Sequence, residues 1–154
     1  MQKLSKRSLQ NLNGVHSLLI AILIKAITDS PYDFGIPSNG GKRTDQEQKE
    51  LYAKGRTTKE LLAKGIVDVK GEPKKGKVTW TLNSLHKGQG EKEVSYAVDI
   101  FAYVNGKASW SMDYLKPIAD HLKKVAKEDF GVELQWGYDL WKKDGAHFQL
   151  KPVA

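Results

Sequence analysis

Apolar residues Leu19, Ile22, Leu23, Ala26 and Ile27 recur at helical spacing, so "LLIAILIKAI" predicts an amphipathic helix with one face buried. The following "DSPYDFGIPSNGG" is dense in Pro, Gly, Asn and Asp and predicts turns with a short strand. Thr44-Asp45-Gln46-Glu47 has the capping-box pattern, in which a threonine hydroxyl and a glutamate carboxylate satisfy free backbone N–H groups. A helix should start there, carry Leu51 and Tyr52, and stop near Gly55. A second box, Thr57-Thr58-Lys59-Glu60, should open a short helix that ends near Gly65.

Residues 67–77 are charged and Gly/Pro-bearing, as in an exposed loop. Val78, Trp80 and Leu82 then alternate like a half-buried strand. "YAVDIFAYV" predicts a second strand and Asn105-Gly106 a tight turn. A helix through Leu115, Ile118, Leu122 and Val125 comes next, then "VELQW", a turn at Gly137 and a final strand "AHFQL". Helices first and strands clustered later predict an α+β fold, a small antiparallel β-sheet with helices packed on it. No internal repeat interrupts the pattern.

Composition narrows the picture. A chain of 154 residues with 40 % hydrophobic content suits a single domain, 1–154, that buries a core without disulfides. There is no cysteine, which excludes thiolate zinc sites and cysteine nucleophiles, so any metal must sit on His, Asp or Glu. The 25 Lys and Arg against 18 Asp and Glu give +7, which attracts polyanions. The lysines are spread from Lys3 to Lys151, so charge by itself selects no partner. Lys3, Lys6 and Arg7 ahead of the apolar run imitate a secretory signal, but Lys25 interrupts the run and no small-residue cleavage site follows. The run is also far short of the ~20 residues that span a bilayer.

A hydrolytic zinc site needs three protein ligands and an open position for water. Of the four histidines, His86 and His147 lie beside predicted strands near turns, whereas His16 enters the first helix and His121 lies within the later one. The latter pair read as structural. Asp99 sits inside the apolar "AVDIF", where an unpaired carboxylate is costly, so a metal, a lysine or a cap should neutralise it. In "DGAHFQL", Asp144 precedes His147 across a Gly-Ala turn, a geometry that suits a general base beside a metal ligand.

Three ordered segments, "KRTDQEQKELYAKGRT", "SLH" followed by "AVDI", and "WGYDLWKKDGAHFQL", together resemble the zinc peptidases of the D-alanyl-D-alanine carboxypeptidase superfamily. In particular they resemble the L-alanyl-D-glutamate peptidases that tailed bacteriophages use as endolysins. The likeness extends to "LSKRSLQNLNGVH", "SPYDF" and "YVNGK", and so covers most of the chain. It implies His86, Asp99 and His147 as ligands of Zn2+, Asp144 as the catalytic carboxylate, and Arg43 as a catalytic and substrate-binding residue beside the scissile bond. Ser84 and Gln48 would help bind substrate, although Gln48 also reads as an ordinary exposed helix residue.

One departure stands out. The family pattern S-x-H-x-x-G-x-A-V-D holds histidine and aspartate close together, whereas His86 and Asp99 stand thirteen positions apart and Ser95 replaces the glycine. Counting alone would select Glu93 as the ligand, but the apolar context favours Asp99. Residues 87–95 then become an inserted loop, cheap in closure entropy and expected to line the cleft.

The resemblance implies a zinc-dependent endolysin that hydrolyses the L-alanyl-D-glutamate amide bond of peptidoglycan stem peptides and leads to host cell lysis. The alternatives are a D-alanyl-D-alanine carboxypeptidase and a non-catalytic cell-wall-binding protein. Peptidoglycan is the expected partner, with no nucleic acid and no stable membrane insertion. A monomer is expected, held in the host cytoplasm until release to the cell wall.

Overall fold

The computed structural model describes residues 2–88 and 93–151. Its helices are α1 (Lys6–Asn11), α2 (Ser17–Ile27), α3 (Asp45–Ala53), α4 (Thr58–Ala63), α5 (Met112–Phe130) and α6 (Gly137–Trp141). The expected apolar stripe of α2 is buried in full, and α5 buries Leu115, Ile118, Leu122 and Val125 against it. Both capping boxes form. Thr44 with Glu47 opens α3, and Thr57 with Glu60 opens α4. Each satisfies backbone donors that a helix start leaves unpaired.

The strands are β1 (Asp33–Gly35), β2 (Ala97–Asp99), β3 (Phe101–Val104), β4 (Lys107–Ser109), β5 (Leu134–Trp136) and β6 (His147–Leu150). They make two antiparallel sheets, ordered β1-β3-β4 and β2-β6-β5. The α+β class holds, but the expected single sheet is divided. The break falls at Ile100 inside "YAVDIFAYV". There the Ile100 N–H still donates to the Ala146 carbonyl at 3.0 Å, in register with the β2–β6 pairing, while the Asp99 N–H donates to Gly40 at 2.7 Å. From Phe101 onward the chain pairs with β1 and β4 instead.

Residues 78–82 form no strand, contrary to their alternating pattern. Val78 and Trp80 are more than half exposed. Side chains, not a strand ladder, hold this segment: Gln48 Nε2 donates to the Thr81 carbonyl at 2.7 Å, and an Arg56 Nη1 donates to the Thr79 carbonyl at 3.0 Å. It forms an extended lip beside α3.

The main core joins α2, α5 and both sheets, and a smaller cluster of Tyr52, Ala53, Leu61 and Ile66 lies under α3 and α4. His16 and His121 both have structural uses. His16 Nδ1 accepts from the Leu18 N–H at 3.1 Å as the cap of α2, and His121 Nε2 lies 2.8 Å from the Ala26 carbonyl that it can donate to. Among the described residues, no helix is long and apolar enough to cross a membrane.

Candidate metal centre

Antiparallel pairing of β2 with β6 sets Asp99 directly opposite His147. His86 reaches the same point from the turn before the inserted loop, where the Ser84 hydroxyl accepts from the His86 N–H at 3.1 Å. The Arg43 N–H ties the His86 carbonyl at 2.7 Å, so the ring's backbone is held on both sides. His86 Nε2 lies 3.2 Å from Asp99 Oδ1 and 3.2 Å from His147 Nδ1, and those last two are 3.3 Å apart. Three donor atoms thus form a near-equilateral triangle. Its side is that of a tetrahedron with a centre-to-corner distance of about 2.0 Å, the usual length of a bond from a small divalent cation to nitrogen or oxygen.

The remaining ring nitrogens determine which tautomers face the triangle. His86 Nδ1 lies 2.9 Å from the Gly41 carbonyl, so it carries the proton and leaves the Nε2 lone pair free. That carbonyl is close because the chain passes tightly here: a Cβ on Gly41 would strike the carbonyl oxygen of Asn11. His147 Nε2 lies 2.8 Å from Gln149 Oε1, which makes Nδ1 the free donor. Gln149 is itself oriented by donating through Nε2 to Gln135 Oε1 at 2.9 Å. Such outer hydrogen bonds orient metal-binding imidazoles and raise their basicity.

Residues 1–151 match the family of phage L-alanyl-D-glutamate peptidases. The chain belongs to that family. Among solved structures it is similar to the crystal structure of Serratia marcescens L-Ala D-Glu endopeptidase ChiX. The TM-score is 0.66 at 29% identity, covering 97% of this chain and 90% of that one. No curated protein sequence matches the chain significantly. As a family member the chain is a peptidase, and a buried His86–Asp99–His147 cluster is where a metal ion could be held.

Within this peptidase the triangle's electrostatics are coupled. Without a metal the two imidazoles can each hold a second proton toward Asp99. Burial would push the Asp99 carboxyl up, yet the charge of His86 and hydrogen bonds from the protonated His147 and His86 rings then hold it well below the usual carboxylate range. Burial likewise disfavours a charged His147, but its bond to Asp99 and the Asp99 charge prevail and raise it. Arg43 completes the neutralisation through an Nη2–Asp99 Oδ2 pair of 2.8 Å, a partner that the linear sequence had not indicated. Asp144 stands at the rim in a left-handed backbone conformation (φ 66°), and its carbonyl accepts from the His147 N–H at 3.2 Å. Its side chain still reaches solvent; burial first, then the negative charge of Asp99, pushes its carboxyl above the ordinary value.

The other expected site residues fall nearby. Arg43, Ser84, His86, Asp99, Asp144 and His147 all border one cleft, with the 78–81 lip as its far wall. Three of the five guanidinium N–H groups of Arg43 are engaged, with Asn39, Gln48 and Asp99. Gln48 is buried, contrary to the exposed-helix alternative, and links Arg43 to the lip. The Ser84 hydroxyl supports the His86 backbone.

Glu93 is no part of the donor cluster. Of the inserted loop, residues 89–92 lie outside the described residues; its end, Ser95, is fully buried, donates its N–H to the Gly14 carbonyl and accepts from the His16 N–H. Gln149 and Gln135 were missed by the sequence reading, although Gln149 shares a strand face with His147 by the two-residue period.

Proposed function

We propose that this chain is a zinc-dependent endopeptidase that hydrolyses the L-alanyl-D-glutamate amide of peptidoglycan stem peptides, as an endolysin in host cell lysis. The observation that carries the reading is the donor triangle of His86 Nε2, Asp99 Oδ1 and His147 Nδ1, with sides of 3.2, 3.2 and 3.3 Å. Those sides fit a tetrahedral ion better than an octahedral one, whose edges at the same bond length would be about 2.8 Å. Two imidazoles and one carboxylate also match the donor preference of zinc. Family membership supports the bond assignment and favours it over removal of a terminal D-alanine.

Zinc, when bound, supplies Lewis-acid polarisation of the scissile carbonyl and acidifies water. The chain's own residues do the rest. Asp144, raised above the ordinary carboxyl value and at the rim of the donor cluster, takes a proton from the attacking water and later returns it to the leaving amine. Arg43, on the same cleft, sets positive charge where negative charge develops on the carbonyl oxygen. Gln149 and Gly41 hold the two imidazoles in their binding tautomers. The +7 charge assists approach to the polyanionic wall.

The test is zinc content of the purified protein together with mass spectrometry of digested sacculi. About one zinc per chain and a newly freed D-glutamate amino group are expected, both lost in His86→Ala and His147→Ala. Free D-alanine as the product would establish the carboxypeptidase alternative, and intact sacculi would establish a non-catalytic wall binder.

A further inference from the structure

The chain has four tryptophans. Trp136 is buried and donates its indole N–H to the Gly145 carbonyl at 2.8 Å. The other three, Trp80, Trp110 and Trp141, are 55%, 57% and 47% exposed. Large apolar rings left in water at one place mark a binding surface, and these three do cluster. Trp80 and Trp141 border the cleft that holds Arg43 and His86. Trp80 and Trp110 border a second cleft of about 400 Å³, whose other walls include Pro37, Val78 and Ala146. Asp99 and Asp144 line both, so the two clefts meet at the donor cluster. Lys143 Nζ, 3.7 Å from the centre of the Trp80 ring, is likewise shared by both.

An endopeptidase must accommodate chain on both sides of the scissile bond. This step rests on the cleavage reading above. Beyond D-glutamate the stem peptide carries carboxylates, which call for hydrogen-bond donors and cations. On the other side a single alanine, spanning at most ~3.6 Å, separates the bond from the lactyl ether of N-acetylmuramic acid. A pyranose ring therefore lies within reach of whatever borders the donor cluster on that side. Pyranose C–H faces stack on indole faces, and in the second cleft Trp110 offers one beside the apolar Pro37, Val78 and Ala146. Asn39, Lys77 and Lys143 are polar neighbours for the sugar's hydroxyls, while Lys143 covers one face of Trp80. The first cleft, with Arg43, Ser84 and Thr81, suits the carboxylate-bearing arm.

We propose that the Trp80–Trp110 cleft is a glycan subsite that binds the N-acetylmuramic acid carrying the stem peptide, with Trp110 as its stacking platform. Phe101 backs the Trp110 ring, centroid to centroid 5.8 Å, and keeps it from collapsing onto the surface. The subsite makes the enzyme selective for stems still attached to glycan.

Indole N–H signals of the zinc-loaded protein, followed by NMR during titration with N-acetylmuramyl-L-alanine and separately with N-acetyl-L-alanine, test this directly. Trp80 and Trp110 should shift with the sugar-bearing probe and not with the sugar-free one, while buried Trp136 stays put. Trp110→Ala should weaken binding of the sugar-bearing probe about tenfold. The ratio of kcat/KM on a disaccharide-tetrapeptide to that on the free tetrapeptide should fall by a similar factor, with partial rescue by Trp110→Phe. A Trp110 signal unmoved at millimolar probe, or a loss equal on both substrates, overturns the subsite. Failure of the cleavage reading looks different: digestion frees an amino group other than that of D-glutamate, whereas the titration does not depend on which bond is cut.

Discussion

Replacing Gln149 with Leu isolates the outer hydrogen bond that orients His147. The side chain keeps its approximate volume, but His147 Nε2–H loses its acceptor at 2.8 Å, and Gln135 loses the donor at 2.9 Å. Because His147 is only 6% exposed, water cannot readily replace that acceptor. A buried donor without a partner costs about 1–3 kcal/mol, and the ring becomes free to present the wrong tautomer. Outer-shell changes of this kind lower metal affinity about 10- to 100-fold, or roughly 1.4–2.7 kcal/mol. Zinc affinity by competition with a chromophoric chelator measures the change, and melting of the metal-free protein separates it from general destabilisation. Gln149→Glu should restore affinity, because a carboxylate is a stronger acceptor for the same N–H. Gln135→Leu should cost less than tenfold, since it removes only the bond that keeps Gln149 from flipping. Wild-type zinc affinity in Gln149→Leu would refute the idea that this relay sets the ligand geometry.

Asp144→Ala should lower turnover by about 10²- to 10⁴-fold while zinc content stays near one per chain, and retained activity would remove its proton-transfer role. In metal-free protein, His147 titrates above its ordinary value, so its stabilising contribution is complete below pH ~6.5 and is lost as pH rises through the raised value. Metal binding needs the neutral ring, so zinc stabilisation runs the other way and fades as pH falls below that raised value. The gap in Tm between zinc-loaded and chelator-treated protein should therefore widen from pH 6 to pH 8, and a constant gap would contradict this coupling. Arg56→Leu removes donors to the Tyr52 and Thr79 carbonyls at 2.6 and 3.0 Å and a guanidinium 3.7 Å above the Tyr52 ring. It should cost about 2–4 kcal/mol by denaturant unfolding and raise KM by loosening the 78–82 lip. Unchanged stability and KM would show that the lip needs no such brace.

Local physics made much of this legible in advance. The two capping boxes and the buried stripes of α2 and α5 act within one or two helical turns, so residue order suffices to specify them. The sequence also carried the argument for Asp99 over Glu93, because a carboxylate in an apolar strand demands a partner wherever that strand ends up. It misjudged residues 78–82, where alternation suggested a ladder, because among the described residues no strand pairs with them and the side chains of Gln48 and Arg56 do the holding.

What only tertiary structure decided is which groups meet. The donor triangle joins positions separated by 13, 48 and 61 residues, and no local rule measures those distances. Ladder register set Asp99 opposite His147, and beyond the buried Ile100 the following strand pairs in the other sheet. Arg43, Gln149 and the exposed tryptophans acquired their partners the same way. Residue types announced the chemistry available; long-range packing selected the few that share one point in space, because only there do desolvation and mutual charge act together.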